Sequence, residues 1–241
     1  MDLSIVIPAF NESLRLGPTL RRVVDYLQQS GRRYEVLVVD DGSTDATAEV
    51  AQAFAPEGVR VLRQEVNRGK GAVIKVGVLA SRGKEVLLLD ADLSTPIEDL
   101  EKLRPRLAEA QVVLGSRSVE GSDILTHQPF YREMMGRTFN FIVQAVGVRG
   151  LRDTQCGFKL LDGEVARKLF SELQIERFAY DVELVWLARR HGYNVVEVGV
   201  RWADSPASKV NPMTDSARMF WDVMALRWRY WRNGKNGRTG R

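Results

Sequence analysis

The 241-residue sequence carries a single cysteine, Cys156, and two histidines. One thiol excludes an internal disulfide and a thiolate zinc cluster and fits a reducing compartment. No apolar run approaches the ~18 residues that a membrane-spanning helix needs. The longest candidate, Phe139 to Val148, is interrupted by Asn140 and Gln144. No positive charge precedes the first apolar stretch, so the opening Met-Asp-Leu-Ser does not read as a secretory signal. No G-x-G-x-x-G follows the first strand-like run and no G-x-x-x-x-G-K-[ST] occurs, which argues against a dinucleotide fingerprint and a phosphate loop. Internal repeats and low-complexity blocks are missing too. With 44% hydrophobic and 27% charged residues, neither a disordered nor a fibrous chain fits.

What is present is an ordered alternation. Short apolar runs at Leu3 to Ala9, Tyr34 to Val39, Val59 to Arg63, Glu85 to Leu89 and Val112 to Leu114 read as buried strands. Between them, helix-period segments lie at Thr19 to Gln28, Thr44 to Phe54 (with Ser43 or Thr44 as N-cap) and Lys70 to Ser81. A fourth runs from Pro96 to about Glu109, kinked at Pro105. Near-continuous apolar strands separated by amphipathic helices predict an α/β fold, a mostly parallel, Rossmann-like sheet covered on both faces. The second half is less regular. Ser118 to Pro129 reads as irregular, Tyr131 to Val146 as a helix, and Thr154 to Leu161 as strand-like. Helices near Glu164 to Phe170 and Asp181 to His191 and a strand over Asn194 to Trp202 follow. The expected organisation is one domain over 1–212, with a nucleotide-binding half of about 1–117 and an acceptor half of about 118–212. A basic, aromatic, amphipathic C-terminal helix and tail occupy 213–241.

Parallel sheets bind ligands at the carboxyl ends of their strands. Here those ends carry Pro8-Ala-Phe-Asn-Glu12, Asp40-Asp-Gly-Ser43 and Asp90-Ala-Asp92. An acidic strand end holds a diphosphate only through an intervening divalent cation, and Asp90 and Asp92 offer the hard oxygens that Mg²⁺ or Mn²⁺ takes. Taken alone, D-x-D could equally be a strand-end turn.

Five motifs occur in order: Val6-Ile-Pro-Ala-Phe-Asn-Glu12, Val39-Asp-Asp-Gly-Ser-Thr-Asp45, Asn67-Arg-Gly-Lys-Gly71, Asp90-Ala-Asp92 and Gly115-Ser-Arg117. Together they resemble family 2 glycosyltransferases of the GT-A fold, over nearly the whole chain. Asp153-Thr-Gln-Cys-Gly-Phe-Lys159 and Tyr180-Asp-Val-Glu183 resemble the dolichyl-phosphate β-glucosyltransferases and their prokaryotic polyprenyl-phosphate relatives. Dolichyl-phosphate mannose synthases share the first half but differ around Cys156, and often have Gln where this chain has Ser94. The resemblance implies a donor site in which Pro8, Ala9, Phe10 and Glu12 frame the nucleoside and Val39, Asp40 and Asp41 line the base. It puts Lys70 near the base or phosphates, and Asp90, Ala91, Asp92 and Ser94 about the metal and diphosphate. Lys209 resembles a loop lysine that closes on the diphosphate, with Arg201 a more distant candidate beside it.

A phosphate acceptor is already anionic and needs cations rather than a general base. Arg117, Arg132 and Arg137 are candidates to bind it. Asp92, Arg117 and Asp181 are the candidate catalytic residues; Asp181 opens a helix and either acts as a base or orients an arginine or the acceptor loop. His127 and His191 suggest no role, and Cys156 reads as a small buried hydrophobe.

Net charge is +4: Arg218 to Arg241, with seven Lys or Arg and one acid, sums to +6 and the first 217 residues to −2. Trp221, Trp228 and Trp231 sit among those cations, a composition suited to a lipid headgroup region; the alternative is a Trp face packed on the domain. Nucleic acid is a weaker partner because the rest of the chain is not basic. The leading expectation is an inverting, metal-dependent transferase moving glucose from UDP-glucose to dolichyl or polyprenyl phosphate. It would be cytoplasmic and peripheral at the inner membrane face, with room for a membrane-embedded partner. Alternatives are a GDP-mannose donor, a soluble sugar or protein acceptor, and an inactive nucleotide-sugar-binding regulatory domain.

Overall fold

A computed structural model describes residues 1–126, 144, 150–204 and 218–229. The expected helix over Tyr131 to Val146 falls largely outside these residues, as do Arg132, Arg137, His127, Lys209 and Trp231.

Strand residues alternate between two buried faces, as a sheet covered on both sides requires. Strands β1 (Leu3–Ala9), β2 (Tyr34–Asp40), β3 (Val59–Arg63), β4 (Glu85–Leu88) and β5 (Val112–Ser116) fall where the apolar runs predict them. With β7 (Lys159–Asp162) and β8 (Val195–Gly199) they form one seven-stranded sheet in the order β3-β2-β1-β4-β7-β5-β8. Every pairing is parallel except those of β7, which lies antiparallel between β4 and β5. Ile5, Ile7, Leu87 and Val113 face one side, covered by Leu16, Leu20, Val23, Val24 and Leu27 of α1 (Ser13–Gln29) and, toward β5, by Ile97, Leu100 and Leu103. Val6, Leu88 and Leu114 face the other side, under α3 (Lys70–Ala80), α5 (Gly163–Glu172) and α6 (Tyr180–Arg190).

Several boundaries differ from expectation for identifiable reasons. Helix α1 begins at Ser13 rather than Thr19 because partners distant in sequence satisfy its first amides. Glu12 N donates to Thr47 Oγ1 at 2.7 Å and Ser13 N to Asp45 Oδ2 at 3.2 Å. Helix α2 (Thr47–Gln52) starts later than Thr44, because Ser43 and Thr44 are engaged with Asn11 instead of capping a helix. The long helix expected after Pro96 is broken into a 3₁₀ turn at Ile97–Asp99, the four-residue α4 (Leu100–Leu103) and a 3₁₀ segment at Arg104–Ala108 containing Pro105. The irregular stretch expected after Ser118 contains β6 (Asp123–Thr126), which pairs in parallel with β9 (Arg201–Ala203). The single strand expected over Asn194 to Trp202 is thus two strands in two sheets.

A helix over 218–229, α7, completes the described chain. Its Met219, Val223 and Leu226 recur at helical spacing and are buried in the core beside α6. Trp221 and Trp228, which could have been the packed face, are instead 69% and 60% exposed, with Met224 between them.

Candidate active site

The carboxyl ends of β1, β2 and β4 lie side by side in the sheet. Asp40 at the end of β2 is wholly buried; Ser43 N donates to its Oδ1 at 3.1 Å and Arg63 Nε lies 3.3 Å from Oδ2. Asp41 clasps the loop entering α3, accepting from Arg68 N at 2.8 Å and Gly69 N at 2.9 Å. Both acids therefore shape the loops of this corner. The Val39 side chain is buried in the core against α3, leaving only its backbone to face a ligand. Glu12 is held by Arg15, whose Nε and Nη2 each donate to its carboxylate at 2.7 Å. Asn11 takes a left-handed φ of 52°, turning the chain between the partly buried Phe10 and Glu12. Pro8 is partly buried and Ala9 fully so.

Asp90 and Asp92 follow β4. Lys70 Nζ, from the first residue of α3, lies 2.6 Å from Asp90 Oδ1. Behind the carboxylate is Gly157, where a Cβ would stand 2.0 Å from Asp90 Oδ2. Burial pushes the Asp90 carboxyl up, but Lys70, Lys159 and Arg117 outweigh it and hold the group below its ordinary value. Lys70 is likewise lowered by burial and raised, on balance, by Asp90, Asp181 and Asp92. Asp92 Oδ1 accepts from Ser94 N at 3.0 Å and Ser94 Oγ at 2.9 Å, while Oδ2 lies 3.9 Å from Arg15 Nη1. The Ala91 carbonyl accepts from Thr19 Oγ1 at 2.8 Å, tying this turn to α1.

On the other side of β7 stands Arg117. It does not present a bare cation: Nε and Nη2 donate to Asp153 at 2.7 and 2.8 Å, and its amide adds a third bond at 3.0 Å. Trp202 stacks on the guanidinium at 5.2 Å. Asp153 N donates in turn to Glu197 at 2.7 Å. Despite burial, Arg117 keeps Asp153 below the ordinary carboxylate value. Arg201 is turned away, ion-paired with buried Asp99 at 2.6 Å.

Asp181 lies in the first turn of α6 and is buried. Its partner is not an arginine but Lys159, whose Nζ is 2.6 Å from Oδ1. Burial raises the Asp181 carboxyl even against the pull of Lys159 and Lys70. Glu183 accepts from Gln174 N and Ile175 N at 3.0 and 2.7 Å and so shapes a loop. Cys156 is buried, and its thiol is pushed up by that burial. His191 pairs with Glu172 at the far end of α6.

Sequence reasoning missed four participants: Arg15, Gly157, Lys159 and the Asp153 partner of Arg117. Three of them stood inside the Asp153–Lys159 motif; Arg15 had no local signal. Among the described residues no three His, Cys, Asp or Glu side chains converge as a metal cage. The donor set still fits a hard divalent ion, since such ions commonly take only one or two carboxylates and complete their shell from phosphate and water.

The sequence profile of glycosyl transferase family 2 matches residues 4–170. The dolichyl-phosphate beta-glucosyltransferase of Dictyostelium discoideum is 36% identical over 243 residues, 95% of this chain and 74% of its own length. The Homo sapiens protein of that name is 37% identical over 245 residues, 95% of this chain and 76% of its own. In fold, the chain is similar to mannosyl-3-phosphoglycerate synthase from Rubrobacter xylanophilus, with a TM-score of 0.71 at 19% identity over 100% of this chain and 77% of that one. Glucosyl-3-phosphoglycerate synthase from Mycobacterium tuberculosis, crystallised with Mn²⁺, UDP and phosphoglyceric acid, gives 0.67 at 20% identity, over 93% and 76%. The profile spans more than half the chain, and its motifs lie about the carboxyl ends of β1, β2, β4 and β5. The protein belongs to glycosyl transferase family 2 and has the GT-A fold.

Proposed function

We propose that the protein transfers glucose from UDP-glucose to a dolichyl or polyprenyl phosphate with inversion at the anomeric carbon. The relatives named dolichyl-phosphate beta-glucosyltransferase support the sugar and the acceptor class. One observation carries the reading: the carboxylate best placed by sequence to act as base, Asp181, is buried and committed to Lys159. A sugar hydroxyl would need a base to attack, whereas a phosphate monoester, with a second pKa of about 6, attacks as an anion.

In this reaction an acceptor phosphate oxygen forms a bond to C1 of glucose as the bond from C1 to the UDP oxygen breaks. The electron pair leaves on the nucleotide diphosphate. Asp90 and Asp92 would hold a divalent cation, which when bound neutralises the leaving diphosphate. Lys70 stands beside Asp90, at hydrogen-bonding distance of the same corner, and supplies a second positive charge to the donor. Arg117, oriented by Asp153 and Trp202, faces the acceptor side, where Arg132 and Arg137 would join it. Lys209 would close on the diphosphate.

A polyprenyl acceptor keeps its phosphate at the headgroup plane. No described helix is long and apolar enough to cross a membrane. The exposed stripe of Trp221, Met224 and Trp228 on α7, with Arg218 and Arg227 on the same helix, suits peripheral attachment to an anionic, cytoplasmic leaflet. Calorimetric titration with UDP and GDP in Mn²⁺ tests the donor. Tighter UDP binding is expected; tighter GDP binding would move the donor to GDP-mannose.

A further inference from the structure

Lys159 has no part in the transfer chemistry above, yet its ammonium is wholly buried at the centre of the site. It sits on β7, the antiparallel strand between the two halves of the sheet, opposite Leu88 of β4 and Leu114 of β5. Those partners precede Asp90 and Arg117 by a few residues, so Lys159 stands between donor and acceptor groups. Nζ is 2.6 Å from Asp181 Oδ1 and also donates to the Cys156 carbonyl. Tyr180 covers it, ring centre 5.8 Å away. Its charge acts on Asp90 and Asp153 as well as Asp181.

Taking an ammonium and a carboxylate out of water costs several kcal/mol per ion, and well-packed apolar side chains in place of a buried pair are often neutral or stabilising. A core that needed only volume here would not need this lysine. What the lysine does hold is the segment 153–158. One end of that segment, Asp153, clasps Arg117; within it, Gly157 backs the Asp90 carboxylate so closely that a Cβ would overlap it. The Cys156 carbonyl bound by Lys159 lies between them.

We propose that Lys159 is a positioning residue for transfer: by gripping Asp181 and the Cys156 carbonyl it fixes segment 153–158, and with it the gap between Asp90 and the Arg117–Asp153 pair. The inference rests on the glycosyl-transfer reading. Misplacing reacting groups by about 1 Å costs on the order of 100-fold in rate. The role therefore shows in kcat rather than in binding.

The test compares the full-length wild type with three variants: Lys159→Met combined with Asp181→Leu, Lys159→Arg, and Asp181→Asn. Each is measured for melting temperature, UDP affinity with Mn²⁺, and kcat and KM with UDP-glucose and dolichyl phosphate. The double variant removes both charges together and avoids an unpaired ion. It is expected to keep UDP affinity and acceptor KM within about threefold while kcat falls about 100-fold. Lys159→Arg, which keeps the charge but changes its reach, is expected to lower kcat about tenfold with UDP affinity unchanged, and decides the matter if the double variant does not fold. Asp181→Asn leaves the buried Lys159 ammonium without its counter-charge, so a lower melting temperature is expected, with a smaller fall in kcat than in the double variant. A double variant or Lys159→Arg with wild-type kcat overturns the inference. So does an Asp181→Asn loss as large as that of the double variant, which would assign the effect to Asp181. If the wild type itself transfers nothing to the lipid phosphate, the proposed function fails, and that outcome is separate from these.

Discussion

Gly157 leaves no space for a side chain: an added Cβ would meet Asp90 Oδ2 at 2.0 Å and its Cγ at 2.4 Å. Gly157→Ala must push the carboxylate out of place. Overpacking of this kind costs about 1–3 kcal/mol, and the same displacement moves the Asp90 oxygen. The expected result is a modestly lower melting temperature with at least a tenfold weaker UDP–Mn²⁺ affinity or kcat; unchanged kinetics would show that Asp90 has room to adjust. Arg117 is the second residue whose behaviour follows from its partner. Arg117→Ala strands the buried Asp153 carboxylate, and breaking one side of a buried pair costs about 3–5 kcal/mol. Denaturant unfolding of Arg117→Ala and Asp153→Asn should show the larger loss in the first. Equal, small losses would mean that the pair is strongly hydrated. The sequence made Arg117 visible as a cation near an acceptor, but its acid lies 36 residues away. A linear pattern reveals which residues carry charge and not which of them meet, and the same limit hid Arg15 and Lys159.

Among the elements, helix starts were misplaced wherever the capping group came from another segment. Asp45 illustrates this and carries a pH dependence. Desolvation raises its carboxyl, but the hydrogen bonds from Thr47 and Ser13 together outweigh it and bring the group down to about 2. Asp153 is lowered as well, by Arg117 against its burial. A carboxylate with a depressed folded pKa stabilises fully above its unfolded value of 3.8 and loses that contribution as pH falls through the folded one. Stability should therefore drop between about pH 4 and pH 2, and Asp45→Asn should flatten that part of the curve, as followed by thermal melts. Persistence of the full slope in Asp45→Asn would contradict the assignment. Helix α7 carries the other prediction at this scale. Its two faces separate cleanly, Met219, Val223 and Leu226 inward and Trp221, Met224 and Trp228 outward. Leu226→Ala should cost about 2–4 kcal/mol of stability. Trp221→Ser with Trp228→Ser should leave the melting temperature nearly unchanged and abolish co-sedimentation with anionic vesicles. Retained vesicle binding would exclude the stripe as the contact. From composition alone the two faces were equally plausible, because Trp and Met suit either environment.

For the whole molecule, the sheet was legible because strands buried on both faces are largely apolar, and β1, β2, β4 and β5 announce themselves that way. The antiparallel insertion of β7 was not legible: nothing in Lys159–Asp162 states its direction, which is set by neighbours on both sides. That strand is nevertheless what joins the halves, bringing the turn after β4 and the end of β5 to either side of segment 153–158. The D-x-D turn and the Asp153–Lys159 motif, separate in sequence, become one wall. A site with its strongest base candidate locked in an ion pair suits an acceptor that arrives already ionised. The direct measurement is product analysis after incubation with UDP-glucose and either dolichyl phosphate or dolichol, with the anomeric proton coupling read by NMR. The account predicts β-linked glucosyl phosphate from dolichyl phosphate and no product from the alcohol. Transfer to the hydroxyl, or an α-linked phosphate product, would contradict it.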